Sequence, residues 1–184
     1  AYAKPYARAL DIIGITGLTA YFGVTKIAKP LAGETFLISS AAGSVGSIAG
    51  QIAKICGARV IGIAGGAQKC KVLTEQLGFD AAIDYKSDDV DAQLRDLMPD
   101  GPDIYYDNVG GTLSQKILWQ MKYPARIVEC GQISTYDDKG GGWTVDIRPW
   151  HMNCLQWTGF SPLIFMEYFP GALTQLGYWL HSGK

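Results

Sequence analysis

The chain has 184 residues, of which 48% are hydrophobic and 18% charged, and its formal net charge at pH 7 is -1. This length suffices for one substantial hydrophobic core, so we expect a single domain. The near-neutral charge gives no reason to expect a nucleic acid or an anionic membrane as partner. The apolar runs are too short to span a bilayer, and residues 1–8 lack the apolar core of a signal peptide, which favours a cytoplasmic location.

The cysteines indicate neither a metal centre nor a disulfide framework. No two of them form a C-x-x-C pair, and the chain has only two histidines. Zinc sites and disulfide-rich folds both need closely patterned side chains, so we expect no metal and predict that the thiols are reduced and buried. The four residues are Cys56, Cys70, Cys130 and Cys154.

The amino-terminal stretch predicts a connecting segment followed by a first long helix. Residues 1–13 mix tyrosines with charged residues and a proline, and favour a connection that becomes helical near residues 7–10. The next helix is predicted to be capped by Thr16 or Thr19 and to end at about residue 28, before a Lys-Pro pair.

Residues 34–56 show the pattern strand, turn, helix. The apolar run F-L-I at residues 36–38 is typical of a strand buried on both faces. The turn at residues 41–46, A-A-G-S-V-G, is the dinucleotide-binding pattern G-x-G-x-x-G with alanine in the first position. Gly43 would let the backbone approach a pyrophosphate, and Gly46 would let the helix pack on the strand. Taken alone, the turn is equally compatible with glycines that only permit tight packing.

Strands and helices alternate along the rest of the chain. Short apolar runs predict five further strands, at residues 59–64, 81–85, 103–107, 126–130 and 155–160. Helical patterns predict helices at residues 68–77, 88–98, 112–121 and 163–181, with a break possible at Pro170 and a glycine loop at residues 140–142. This alternation implies an α/β fold, a Rossmann-type doubly wound sheet of six parallel strands in the order 3-2-1-4-5-6.

The end of the second strand bears on the choice of cofactor. NAD-binding sheets usually place an acidic residue there to accept hydrogen bonds from the adenosine ribose, but this chain has A-G-G at residues 64–66. Lys69 and Lys71 follow in the first turn of the next helix, where the helix dipole disfavours cations. A ribose 2'-phosphate would explain them, so the pattern favours NADPH over NADH. The alternative is that both lysines only face solvent.

Five motifs that occur in order along residues 14–136 resemble those of a known family. They are G-I-T-G-L-T-A-Y-F-G-V from Gly14, A-A-G-S-V-G-S from Ala41, the pair Lys69 and Tyr85, D-N-V-G-G from Asp107, and E-C-G-Q-I-S-T-Y from Glu129. Together they resemble the zinc-independent medium-chain dehydrogenase/reductases, in the branch of prostaglandin reductases, leukotriene B4 dehydrogenases and curcumin reductases.

This resemblance implies a function and a set of site residues. It implies an NADP-dependent oxidoreductase that moves hydride from NADPH to the β-carbon of a small-molecule α,β-unsaturated ketone or aldehyde, an enone. The pyrophosphate would be held by Gly43, Ser44, Val45, Gly46 and Ser47. The 2'-phosphate would contact Lys69 and Tyr85. The nicotinamide and its ribose would contact Asn108, Cys130, Ser134 and Tyr136.

Tyr136 is the one candidate for a catalytic role, either orienting the nicotinamide ribose or polarising an enolate oxygen. It is equally open that Tyr136 only packs on the cofactor. Asn108 and Cys130 have plainer alternatives as well, as a turn residue after a strand and as a small core residue.

The resemblance also bears on domain organisation. Members of this branch are roughly twice as long, with a GroES-like substrate-binding domain before the cofactor domain and a closing segment after it. We therefore expect residues 1–184 to form the NADP-binding Rossmann domain alone, and the isolated domain to be inactive. The stretch at residues 161–170 departs from the branch pattern, which leaves its contacts open, and a homodimer is left open too.

Other readings of the sequence are weaker or remain as alternatives. The short-chain dehydrogenases need a Y-x-x-x-K pair, and nucleophilic hydrolases of the α/β type need a G-x-S-x-G elbow; neither motif is found. An NADPH quinone oxidoreductase of a neighbouring branch remains an alternative, as does an NADPH-binding module without catalytic activity.

Overall fold

The computed structural model describes residues 10–87, 89–137 and 142–183. Its centre is a sheet of six parallel strands in the order β3-β2-β1-β4-β5-β6, which confirms the predicted fold class and strand order. The strands are β1 (Thr35–Ile38), β2 (Arg59–Ala64), β3 (Ala81–Asp84), β4 (Ile104–Asp107), β5 (Arg126–Glu129) and β6 (Gln156–Gly159).

Helices connect the strands and cover both faces of the sheet. They are α1 (Ile15–Phe22), α2 (Ser44–Ile55), α3 (Ala67–Glu75), α4 (Val90–Leu97), α5 (Gly111–Leu118), α6 (Arg148–Met152) and α7 (Phe169–Ser182). A π-helical segment, Gly23–Ala28, continues α1, and a 3-10 segment, Pro162–Tyr168, precedes α7. Within the described ranges, no helix is long and apolar enough to cross a membrane.

The hydrophobic core consists of one layer on each face of the sheet. Because successive side chains of a strand point to opposite faces, Phe36 and Ile38 pack on α2 while Leu37 belongs to the other layer. That other layer is completed by α4 and α5, through residues such as Leu94 and Ile117. Burial on both faces explains why the strands appear in the sequence as continuous apolar runs.

The predicted cap of the first helix is wrong. The helix begins after Gly14, so Thr16 and Thr19 lie inside it, and the Thr19 hydroxyl donates a hydrogen bond to the carbonyl of Ile15 at 2.7 Å. Gly17 also lies inside this helix. A Cβ added there would fall 1.8 Å from the carbonyl oxygen of Ile12, so a glycine permits the close approach of the preceding segment.

Several other boundaries differ from the predictions. The last predicted helix is two segments, and Pro170 lies in the first turn of α7, a position that tolerates proline, instead of breaking a helix. The short helix α6 was not predicted. All four cysteines are unbridged, but Cys56, Cys70 and Cys130 are only partly buried and Cys154 is exposed, so the predicted burial is wrong for Cys154 and only partly correct for the others. The predicted helix start at residue 88, helical residues 7–9 and glycines 140 and 141 lie outside the described residues.

Candidate functional site

The candidate site lies along the edge of the sheet where the parallel strands end. In an open doubly wound sheet, ligands bind at this edge, at the point where the strand order reverses. Here the reversal falls between β1 and β4, which pair directly. The turns after β1, β2, β4 and β5 carry most of the residues that the sequence singled out.

The turn after β1 is shaped for close packing against an anion. The α2 helix begins after Gly43, and in this described segment its first turn has neither a side-chain cap nor an acidic residue. A Cβ added to Gly46 would lie 2.3 Å from the carbonyl oxygen of Ser40, so only glycine fits there. The free N–H groups and the positive end of the helix dipole are therefore available to a phosphate, and the turn fits a pyrophosphate.

Lys69 faces the same space as the glycine turn. It lines a cavity of about 550 Å³ between α2, α3 and α7, together with Ser44 and Ser47. Among the described side chains, Lys69 has no ion-pair partner. The cavity extends along α2 and is also lined by Asp11; at the start of α2, where an anion is favoured, Lys69 supplies a cation. Lys69 and Lys71 are both exposed, but Lys71 does not line this cavity, so the solvent-facing alternative describes Lys71.

Tyr85 lies against the turn that precedes Lys69. A Cβ added to Gly65 would fall 2.8 Å from the Tyr85 ring, so the ring packs directly on the glycine backbone. About half of the Tyr85 side chain is exposed. The structure therefore brings Tyr85 and the start of α3 together, as the pairing of Lys69 with Tyr85 requires.

Asp107, which the sequence did not single out as a site residue, organises the turn after β4. Its carboxylate is fully buried and accepts hydrogen bonds from five donors. They are the hydroxyls of Ser39, Tyr105 and Ser114 and the backbone N–H groups of Val109 and Gly110. This network ties the ends of β1 and β4 to the start of α5.

Asn108 takes part in the same junction. Its backbone N–H donates to the Ser39 hydroxyl and its side-chain Nδ2 donates to the Ser39 carbonyl, both at 2.8 Å. The amide nitrogen is therefore used to hold the turn between β1 and β4. This is the turn role that the sequence left open beside a cofactor contact.

Cys130 follows β5 and is partly buried. The hydroxyl of Tyr106 donates to its Sγ at 3.5 Å. Burial is the main cause that raises the pKa of Cys130, to about 11. The thiol therefore stays protonated near neutral pH and is a poor nucleophile.

The segment after Cys130 folds back over the turn after β4. The Ser134 hydroxyl donates to the Val109 carbonyl at 2.6 Å. The Tyr136 hydroxyl accepts the backbone N–H of Gln132 at 3.1 Å, and 69% of Tyr136 is exposed. Because this hydroxyl acts as an acceptor, its own proton remains available for donation to a ligand.

A cluster of tryptophans surrounds Glu129 beside this segment. Trp143, Trp150 and Trp157 line a cavity of about 440 Å³ with Glu129, and the Trp157 indole donates to Glu129 Oε2 at 2.9 Å. Burial, and then the charge of Asp107, raise the pKa of Glu129 to about 7. No sequence pattern predicted this cluster, because its members come from widely separated positions.

Comparison with known proteins identifies the family. Residues 44–170 match the family model described as zinc-binding dehydrogenase. The chain belongs to this family. Its relatives place it among the medium-chain dehydrogenase/reductases, in the branch of prostaglandin and curcumin reductases. In the described part of this zinc-binding dehydrogenase homologue, no group of three or more His, Cys, Asp or Glu residues could hold a metal ion.

Three curated relatives illustrate the similarity. YfmJ of Bacillus subtilis, described as an NADP-dependent oxidoreductase, is 44% identical over 98% of this chain and 54% of its own length. Prostaglandin reductase 1 of Mus musculus is 47% identical over 98% of this chain and 55% of its own length. The NADPH-dependent curcumin reductase of Escherichia coli is 46% identical over 70% of this chain and 37% of its own length. The chain thus spans about half the length of YfmJ and of the mouse reductase.

Solved structures show the same fold. CurA of Vibrio vulnificus, in complex with NADPH, superposes with a TM-score of 0.89 at 35% identity, over 96% of this chain and 54% of CurA. The quinone oxidoreductase of Escherichia coli, also complexed with NADPH, superposes with a TM-score of 0.80 at 28% identity, over 92% of this chain and 52% of that protein.

Proposed function

We propose that this chain is the NADP(H)-binding domain of a reductase that saturates the carbon-carbon double bond of enones. The observation that supports the cofactor most directly is the position of Lys69. It shares one cavity with Ser44 and Ser47, while β2 ends without the carboxylate that would repel a 2'-phosphate. YfmJ and the curcumin reductase are both named as NADP(H)-dependent, and CurA was solved in complex with NADPH.

The adenosine and pyrophosphate side has a defined set of proposed contacts. The N–H groups at the start of α2, with the Ser44 and Ser47 side chains, would hold the pyrophosphate. Gly43, Val45 and Gly46 would let it approach the backbone. Lys69 would pair with the 2'-phosphate, and the Tyr85 hydroxyl would add a hydrogen bond. These contacts distinguish NADPH from NADH through a single phosphate.

The nicotinamide side lies at the turns after β4 and β5. Bound NADPH supplies the hydride that the double bond receives. Ser134 and Asn108 would position the nicotinamide ribose, and Cys130, with its proton retained, would serve as a small packing surface. Tyr136 would donate its free hydroxyl proton toward the enolate oxygen or the ribose, which stabilises negative charge that develops on the substrate carbonyl.

A quinone oxidoreductase is the second candidate. It is supported by the fold shared with the quinone oxidoreductase of Escherichia coli. The curcumin reductase and the mouse prostaglandin reductase 1 are 46% and 47% identical to this chain, against 28% for the quinone oxidoreductase. We therefore favour the activity that the resemblance to their branch implies, enone reduction.

The test is an activity assay of the full polypeptide that the gene encodes. NADPH oxidation is followed with a panel of enones, enals and quinones, and the saturated product is identified by mass. Enone or enal reduction with the highest kcat/KM supports the proposal. A preference for quinones would support the second candidate, and binding of NADPH without turnover of any compound would indicate a non-catalytic module.

A further inference from the structure

Asp84 reaches from the end of β3 to the turn after β2. Its Oδ1 accepts the backbone N–H of Gly66 at 2.7 Å and the N–H of Lys86 at 3.0 Å. These two hydrogen bonds, the one from Gly66 first, lower the pKa of Asp84. The carboxylate is therefore ionised at neutral pH and bound to the backbone of a different β-α unit.

The peptide that Asp84 holds begins the helix that carries Lys69. Gly66 precedes the first residue of α3 and has a φ of +95°, in the left-handed region. The Gly66 carbonyl accepts the N–H groups of Lys69 at 3.0 Å and of Cys70 at 3.2 Å. The first turn of α3 has no side-chain cap of its own, so its start is held from outside, by Asp84.

The neighbour of Asp84 completes the same corner. The ring of Tyr85 packs on Gly65. The backbone N–H of Tyr85 donates to the carbonyl of Ala64 at 3.1 Å. The side-chain Oε1 of Gln93, in α4, accepts the backbone N–H of Asp84 at 3.3 Å. This hydrogen bond fixes the end of β3. A shift of Asp84 would therefore displace both proposed contacts of the 2'-phosphate, Lys69 and Tyr85.

We infer that Asp84 is a positioning residue for cofactor selection: by holding the N–H of Gly66 it aims Lys69 and Tyr85 at the 2'-phosphate. This inference rests on the proposed binding of NADP(H). The benefit must come from geometry, because the charge of a carboxylate near α3 opposes an anionic ligand. That charge is felt on the helix, where it adds to burial in raising the pKa of Cys70.

Two variants of Asp84 separate the hydrogen-bond acceptor from the charge. Asp84→Ala removes both, and Asp84→Asn keeps an acceptor oxygen without the charge. The matched control is Asp80→Ala at the other end of β3, since Asp80 also holds a β2 backbone N–H, that of Val60, and pairs with Lys54 at 2.8 Å. Each protein is titrated with NADPH and with NADH, and its melting temperature is measured.

Loss of this one positioning contact in Asp84→Ala should weaken NADPH binding about tenfold and NADH binding less than about twofold. Asp84→Asn should keep the preference of the unmodified protein or raise it slightly, because the acceptor remains and the repelling charge is gone. Asp80→Ala should lower the melting temperature and leave the ratio of the two affinities unchanged. Asp84→Ser, whose hydroxyl is too short to reach Gly66, should lose the preference as Asp84→Ala does, and serves if the alanine variant does not fold.

An unchanged ratio in Asp84→Ala or in a folded Asp84→Ser would overturn the inference. An equal loss in Asp84→Asn would overturn it too, because the charge and not the acceptor would then act. An unmodified protein that binds NADH as tightly as NADPH would instead contradict the proposed cofactor, so the two failures are distinguishable.

Discussion

At the scale of single residues, one close backbone contact at position 46 explains why the turn after β1 needs a glycine. The Cβ of any other residue at position 46 would collide with the backbone of Ser40, which cannot rotate away as a side chain could. Gly43 is less constrained, because a Cβ there would lie 3.0 Å from the nearest atoms of Ser40. Gly46, the last glycine of the turn pattern, therefore controls how closely α2 packs on β1.

Replacing Gly46 should damage both stability and cofactor binding. We expect Gly46→Ala to lower the free energy of unfolding by about 3 kcal/mol, and Gly46→Val by more, because the backbone must move. NADPH affinity should fall with it. Urea unfolding and a NADPH titration measure the two effects.

The control for this prediction is Gly177→Ala in the middle of α7. A Cβ at Gly177 would meet no atom within 4 Å beyond its own helix, so the change should raise stability by about 0.5 to 1 kcal/mol. A folded Gly46→Val protein with undiminished NADPH affinity would show that the phosphate site lies elsewhere.

Glu129 should make stability depend on pH. Its pKa is raised from 4.5 to about 7 in the folded protein, so between these values the unfolded chain gives up the proton first. The free energy of unfolding should therefore fall as the pH rises from about 4.5 to 7, by about 1 to 2 kcal/mol once partial exposure is considered. Above about pH 7, Glu129 is ionised in both states and causes no further loss of stability.

Glu129→Gln removes the charge and keeps an acceptor for the Trp157 indole. Urea unfolding of both proteins at pH 5 and pH 8 tests the assignment. The free energy of unfolding of the variant should not fall between pH 5 and pH 8 as that of the unmodified protein does. The variant should therefore exceed the unmodified protein most at pH 8. If the free energy of unfolding differs between pH 5 and pH 8 by the same amount in both proteins, the assignment of this pH dependence to Glu129 is refuted.

At the scale of secondary-structure elements, Asp107 joins three of them. Its five donors come from β4, from the residue after β1, from the turn after β4 and from α5. Because they are buried, removal of the carboxylate leaves several donors without a partner, and each unpaired donor costs free energy.

We expect Asp107→Ala to lower the free energy of unfolding by about 3 to 5 kcal/mol, a large fraction of the stability of a typical domain. Asp107→Asn should cost less, since its amide oxygen can still accept the N–H groups of Val109 and Gly110. Thermal unfolding compares the two. An alanine variant no less stable than the asparagine variant would show that the network contributes little.

The elements differ in how well the sequence predicts them. All six strands were predicted. The signal is clearest for β1, β2 and β4, because a strand buried on both faces needs a short continuous apolar run, whereas β6 is largely exposed. The start of α1 and the division of the last helix were not, since those ends are set by packing and by a proline that the first turn of a helix tolerates. The site residues came instead from the resemblance of the motifs to the reductase branch, and their contacts with the cofactor stay a prediction.

The hydrogen-bond networks at the site could not be predicted. Ser39 and Asp107 are 68 residues apart, and Glu129 and Trp157 are 28 apart, so no local pattern links them. Asp84 looked like an ordinary strand end. The role that we infer for Asp84 depends on the register between β2 and β3, which places Asp84 beside Ala64.

At the scale of the whole molecule, the chain spans about half the length of relatives such as YfmJ. The sheet edge carries the proposed contacts for the cofactor, while substrate positioning requires walls on the nicotinamide side. We therefore expect the 184-residue chain to fold and bind NADPH but to reduce enones poorly, because catalysis needs the substrate held against the hydride donor.

Steady-state assays of the 184-residue chain, and of the longer polypeptide if the gene encodes one, check this expectation. The longer protein should turn over enones and the isolated chain should not. Robust enone reduction by these 184 residues alone would show that the described domain positions the substrate by itself.

The most direct measurement is a pair of titrations, with NADPH and with NADH, of the unmodified chain, Lys69→Ala and the control Lys71→Ala. A charge-assisted contact to the 2'-phosphate contributes about 1.5 to 3 kcal/mol, so Lys69→Ala should weaken NADPH binding about ten- to a hundredfold. NADH binding should hardly change, and Lys71→Ala, outside the cavity, should behave as the unmodified chain. Equal weakening of both cofactors, or of neither, by Lys69→Ala would contradict the assignment of Lys69 to the 2'-phosphate.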